Sequence, residues 1–180
     1  VIVNDDAAIY INDSQPITQM EGSGSTQQSY RFDIVRSGQG VTGSSTVDWT
    51  VQLTANGAGN TAQNTDFAAL PTTQTASGWY DAATNSIRGT VTFTANDYDK
   101  QTVALALNPD GSKESTESFV ISLANPSSGS VVASANNATG KIGDDDYDLS
   151  VKMDGTLGIT VGTLTALPSV TVNGKSYSLY

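Results

Sequence analysis

The 180-residue chain contains no cysteine and no histidine. Without cysteine there are no disulfides, no thiolate nucleophile and no cysteine-ligated zinc. Without histidine there is no Ser-His-Asp triad, no imidazole zinc ligand and no ordinary haem ligand. General acid–base chemistry would fall to carboxylates alone. A chain without cysteine does not need an oxidising compartment, yet is compatible with one. Charged residues make up only 14% and are lopsided, with 18 acidic against 8 basic side chains and a formal net charge of −10. Such a surface repels nucleic acid and anionic membranes and attracts cations, so no nucleic-acid partner is expected. No apolar run approaches the roughly 20 residues that a membrane-crossing helix needs, so no membrane insertion is expected. The hydrophobic fraction is 37%. Thr, Ser, Asn and Gly fill the remainder, a composition of strands with polar outer faces, and the length suffices for a buried core.

What is present is alternation. Ile9 and Ile11 begin a first strand that is broken at Pro16 and resumes at Ile17 and Met20; proline suits a sheet edge. Tyr30, Phe32 and Ile34 mark a second strand, and Val47, Trp49, Val51 and Leu53 a third. Val91 and Phe93, then Val103, Leu105 and Leu107, then Phe119, Ile121 and Leu123, mark the next three, and 139–142 a seventh. Each is short and bounded by turn residues, all but the last are apolar at every second position, and no helix of useful length is expected. Residues 68–88 read as a long connection. The spacing predicts an all-β, seven-stranded antiparallel β-sandwich with an additional C-terminal β segment. That segment alternates at Leu149 and Val151, Ile159 and Val161, and Val170 and Val172, with the hairpin signal Asn173-Gly174.

The acidic residues fall at regular strand intervals. Glu21 follows the first strand, and Asp66 comes after two more. Asp110, Glu114 and Glu117 come two strands later, and Asp144, Asp145 and Asp146 two strands after that. If successive strands run up and back, all four groups return to one pole, while the opposite loops hold only Asp97 and Asp99. Carboxylates converging in this way need either raised pKa values or bound cations. Calcium accepts six to eight oxygens in irregular geometry, whereas magnesium demands a stricter octahedron. Two or more calcium ions are therefore expected.

The ordered set of motifs resembles a Calx-beta domain. It comprises Glu21-Gly22, Val47-Asp48-Trp49-Thr50, Thr61-Ala62 with Asp66-Phe67, and Gly89-Thr90-Val91-Thr92-Phe93. It continues with Asp110, Glu114-Ser115-Thr116-Glu117-Ser118-Phe119, Leu123-Ala124-Asn125-Pro126, and Ala138 through Asp146. The resemblance implies an immunoglobulin-like seven-stranded sandwich over 7–146. It also implies calcium ligands at Glu21, Asp66, Asp110, Glu114, Glu117, Asp144, Asp145 and Asp146. The 68–88 segment and Asn96-Asp97-Tyr98-Asp99 depart from the family pattern, and the tail after Tyr147 lies outside it.

Ile2-Val3-Asn4-Asp5-Asp6 echoes Ile142-Gly143-Asp144-Asp145-Asp146. Residues 1–6 thus read as an end strand or linker resembling the close of a preceding module. Residues 147–180 read as extra strands or the start of a following one. Asn4, Asp5 and Asp6 become candidates for a calcium-sharing junction. The expected role is a non-enzymatic calcium-binding structural or adhesion module of an extracellular or cell-surface protein, with calcium stiffening one pole and head-to-tail junctions. Its expected partners are neighbouring modules or identical subunits, and a glycan or surface receptor. Two alternatives stand beside it. One is a secreted subunit that polymerises head-to-tail into a calcium-stabilised filament. The other is a carbohydrate-binding module using Trp79 and Tyr80. A paired-carboxylate glycosidase would need a large cleft that a sandwich of this length does not imply. Trp49, in phase with Val47 and Val51, is expected in the core.

Overall fold

The computed structural model describes residues 6–12, 18–38, 43–53, 62–95, 100–127, 129–133 and 136–146, together with strands at 149–153, 157–161, 170–172 and 175–177. By contacts the chain separates into two compact units, 1–110 with 115–145, and 111–114 with 146–180.

The first unit is a sandwich of two sheets. Strands β1 (Ala7–Asn12), β3 (Ser29–Ser37), β7 (Gln101–Ala106) and β9 (Ser130–Val132) form one sheet in the order β7-β3-β1-β9. Strands β2 (Thr18–Met20), β4 (Ser45–Gln52), β5 (Trp79–Asp81), β6 (Ser86–Phe93), β8 (Glu117–Ala124) and β10 (Asn137–Gly143) form the other, in the order β2-β10-β8-β4-β6-β5. The inward positions are those set by the period-two pattern. Ile9, Ile11, Tyr30, Phe32 and Ile34 from one sheet meet Val47, Trp49, Val51, Phe119, Ile121 and Leu123 from the other, and all are buried. Aromatic edge-to-face contacts tie the layers: Phe32 lies 5.8 Å from Trp49, and Tyr30 lies 4.8 Å from Phe119. Burying each such side chain contributes about 1.5–3 kcal/mol, so this layer holds the sheets together.

The expected seven strands correspond to β1, β3, β4, β6, β7, β8 and β10, each six residues or longer. Three further strands of three residues each lie at sheet edges among the described residues: β2, β5 and β9. The sandwich is also not purely antiparallel. β1 pairs parallel with β9, and β2 pairs parallel with β10. The cause is the break between β1 and β2. The chain changes sheets there, so the two halves of the first strand each meet a late strand running the same way.

The expectation of a plain connection over 68–88 also needs correction. Trp79–Asp81 pairs with 86–88 in an antiparallel hairpin, Trp79 opposite Arg88 and Asp81 opposite Ser86. Thr90 N donates to Ala76 O at 3.1 Å, which continues this edge. The hairpin is held from beneath by Trp49. A Cβ on Gly89 would lie 2.3 Å from the indole, so Trp49 occupies the space that a side chain at 89 would fill.

In the second unit, β11 (Leu149–Met153) pairs antiparallel with β12 (Leu157–Val161), and β13 (Val170–Val172) with β14 (Lys175–Tyr177). The Asn173-Gly174 turn between the last two lies outside the described residues. No helix among the described residues is long and apolar enough to cross a membrane.

Candidate metal centre

The parallel pairing of β2 with β10 places Met20 opposite Gly143, and Glu21 N donates to Gly143 O at 3.0 Å. Glu21 is thereby fixed beside the end of β10. Gly22 then turns the chain at φ +93°, where a Cβ would stand 2.2 Å from Thr26 O, so only glycine fits. The turn points the Gly22 amide at Asp145, whose Oδ1 accepts its hydrogen bond at 3.2 Å. Ser23 forms a bridge with Asp110, and Gly24 N donates to Asp110 O at 3.0 Å. The segment that follows β2 thus touches the ends of both β10 and the 107–110 stretch.

Two acidic side chains of the first unit, Glu21 and Asp110, are gathered as a result, and Asp145 reaches the turn beside them. Glu21 is buried, at 4% exposure. One of its carboxylate oxygens and one from Asp110 lie within 4.8 Å of each other. Asp110 is exposed, while Asp144 and Asp145 are half-buried. The local donors are carboxylate and peptide oxygens, with no histidine or cysteine in the sequence to compete. That chemistry fits a hard divalent cation and does not fit zinc or copper.

The other acidic candidates sit differently. Asp66 ends a 3-10 turn (η1, Asn64–Asp66) at the same pole, where its carbonyl accepts from Asn108 N at 2.9 Å. Its carboxylate, however, turns back to accept from Gln63 N and closes its own turn. Glu117 opens β8 opposite Ile142 and is half-buried. Glu114 is exposed and belongs to the second unit. Asp146 is the residue at which that unit resumes after Asp145, and it is buried at 8% exposure. Asp6 is exposed. Asn4, Asp5, Thr61, Asp97 and Asp99 lie outside the described residues.

At the opposite pole the sandwich carries a buried cation. Arg36 is 1% exposed. Its Nη1 donates to Gly43 O at 3.0 Å and to Ser45 Oγ at 2.9 Å, and its Nη2 to Thr94 O at 2.7 Å. The guanidinium also lies 5.2 Å from the centroid of Phe93. The alternation contained a signal for this residue, because Arg36 continues the inward phase of Tyr30, Phe32 and Ile34. Nearby, the Asp33 carboxylate accepts from Lys100 Nζ at 2.7 Å and Thr102 Oγ1 at 2.6 Å. Burial pushes the Asp33 carboxyl up, but these two hydrogen bonds and the Lys100 charge outweigh it, and the net shift is downward.

No family model matches the sequence, and no curated protein matches it. Solved structures do match. The apo-form Calx CBD1 domain is 25% identical with a TM-score of 0.54, over 78% of this chain and 99% of that one. The calcium binding domain CBD12 of CALX1.1 is 25% identical with a TM-score of 0.53, over 77% of this chain. The match spans only 46% of that longer protein. The Calx CBD2 domain, at 12% identity and a TM-score of 0.52 over 77% of this chain and 86% of its own, shares the fold. Fold and solved neighbours agree: the chain carries the β-sandwich of a Calx-beta domain.

Proposed function

We propose that this chain is a non-catalytic calcium-binding module of an extracellular or cell-surface protein, in which the ion stiffens one pole of the sandwich. The observation that carries this reading is the buried Glu21 carboxylate held within 4.8 Å of that of Asp110. Like charges this close, one of them withdrawn from water, call for a counter-charge. Glu21, Asp110 and Asp145 would hold the ion. Asp144 and Asp146, which flank Asp145 in the chain, and Glu114, Glu117 and Asp66 are proposed as further oxygen donors. For Asp66 this requires release of its hydrogen bond to Gln63. Extracellular calcium modules bind with dissociation constants of about 0.1–1 mM, which suits a partly exposed site of this kind.

The test is a calorimetric calcium titration of metal-stripped protein, paired with thermal melts in excess chelator and in excess calcium. Saturable heat and a melting temperature several degrees higher in calcium are expected. Identical melts and no saturable heat would end the reading.

Head-to-tail contact, in cis between modules or in trans between filament subunits, is the finer proposal. The echo of Ile142 to Asp146 in Ile2 to Asp6 favours it, because Asn4, Asp5 and Asp6 would meet the acidic pole of a neighbouring copy. Changing Asp5 and Asp6 to Ala should abolish calcium-dependent assembly or end-to-end stiffening; full retention of both would refute the shared junction.

A further inference from the structure

The outer face of the six-stranded sheet carries a cleft whose chemistry differs from that of the acidic pole. Over the middle of β4 and β6, beside the end of β8 and the β5 edge, lies this cleft of about 280 Å³. Asp48, Thr50, Arg88 and Thr90 form its floor, and Trp79 and Asn125 lie at its margins. The alternation that sends Val47, Trp49 and Val51 inward turns Asp48 and Thr50 outward. Trp79 shares the outward face of Arg88 because the two are paired across β5 and β6.

The polar groups are fixed before any ligand arrives. Asp48 Oδ1 accepts from Thr90 Oγ1 at 2.7 Å, and Asp48 Oδ2 accepts from Asn125 Nδ2 at 3.1 Å. Each carboxylate oxygen can accept a second hydrogen bond, so one further site remains on each. Asn125 holds its amide in this place at φ +50°, a backbone region uncommon for any residue but glycine. Arg88 is anchored by Nε to Ser86 Oγ at 2.9 Å, and its charge faces Asp81 at 3.5 Å. The floor therefore offers no unbalanced positive charge to an anion. A single carboxylate is likewise too little to hold a bare metal ion.

What these groups suit is a neutral ligand with an apolar face and a rim of hydroxyls. We infer that the cleft binds a neutral saccharide, with Trp79 stacked on a pyranose ring and Asp48, Asn125 and Thr50 hydrogen-bonding its hydroxyls. An indole presents a large flat apolar surface to the C–H face of a sugar, and the fixed carboxylate accepts from vicinal hydroxyls. The volume lies just below the roughly 300–1,000 Å³ of drug-sized ligand pockets, which limits the bound portion to one or two rings. This inference does not depend on calcium.

The test uses the full chain, isotopically labelled, with ¹⁵N–¹H spectra recorded during titration. The probes are the methyl glycosides of glucose, galactose, mannose and N-acetylglucosamine and their soluble disaccharides. At least one probe should shift the Trp79 indole signal and the amides of Asp48, Thr50, Thr90 and Asn125, leaving the Trp49 indole in place. A dissociation constant of the order of 1 mM is expected, equal in chelator and in calcium. Trp79→Ala should weaken binding at least about tenfold, and Asp48→Asn, which preserves the shape of the floor, severalfold. Retained spectral dispersion in Asp48→Asn keeps the test valid if Trp79→Ala disturbs the edge hairpin. The inference is overturned if no probe moves these signals, if both variants bind like the wild type, or if binding requires calcium. Failure of the calcium titration would leave it untouched.

Discussion

Glu21→Gln offers a test in which the sign of the effect depends on calcium. The substitution keeps the side-chain shape and removes one charge from a pair of carboxylates within 4.8 Å of each other. At that separation, with an effective dielectric constant of about 20, two unit charges repel by about 3.5 kcal/mol. Asp110 is exposed, so solvent screening reduces the usable part to about 1–2 kcal/mol. In metal-free protein the variant should therefore be the more stable one, melting roughly 2–8 °C above the wild type. Calcium at about 100 times its dissociation constant should stabilise the wild type by about 2.7 kcal/mol. That gain corresponds to a rise of roughly 5–11 °C. A variant bound 100-fold more weakly would gain only about 0.4 kcal/mol under the same conditions. Circular-dichroism melts of both proteins, each in chelator and in calcium, read all four values. The reasoning fails if Glu21→Gln lowers the melting temperature in chelator and shows the same calcium shift as the wild type.

The opposite pole should respond without regard to calcium: Arg36→Met leaves Gly43 O and Thr94 O without their donor. Urea unfolding should show a loss of about 2–3 kcal/mol, equal in chelator and calcium, and a calcium-dependent loss would contradict the separation of the poles. Gly89→Ala places a Cβ 2.3 Å from the Trp49 indole and 2.8 Å from Ala76 O. It should cost about 1–3 kcal/mol by overpacking, and a change below about 0.5 kcal/mol would mean that the β5–β6 edge does not rest on Trp49. Asp33 titrates below its ordinary value of 3.8, so its contribution to stability is present above that value and is lost as pH falls through its lower folded pKa. Lys100→Met should move the Asp33 carboxyl titration, followed by ¹³C NMR, to higher pH and start the acid loss earlier; an unmoved titration would show that Lys100 does not set it.

The long strands were legible because a strand with one buried face records its burial at every second residue. Val47, Trp49 and Val51 in β4, and Phe119, Ile121 and Leu123 in β8, needed only that rule. The common pole of the acidic groups was legible too, since counting strand reversals places Glu21, Asp110 and Asp145 at one end without any coordinates. Side-chain direction was not. Asp66 reaches the expected pole but spends its carboxylate on Gln63, a local capping choice that competes with any longer reach. The β5 edge was hidden because its support is Trp49, some 30 residues earlier in the chain. The parallel pairs β1–β9 and β2–β10 were hidden because strands of three residues carry too little pattern to declare a partner. Arg36 went unread for a different reason. A cation in an inward phase looks like a break in the pattern, until carbonyls from two distant loops are known to meet it.

The parallel pairs bear on how the sandwich would carry tension. Ala7, beside the Ser37 end of β3, and Gly143, beside Glu21, lie at opposite poles of the first unit. A pull applied to those two points runs along the strands. β1 is gripped on both flanks, by β3 and by β9, and β10 likewise by β8 and β2. The ladder hydrogen bonds of these strands lie across the line of force, so β1 and β10 must slide past both neighbours at once rather than peel away one bond at a time. The three-residue strands β2 and β9 add little buried surface, yet each supplies a second flank to one of the two strands through which the load passes. Under shear such a unit resists as a block and gives way in a single step, the behaviour of a rivet rather than a zipper.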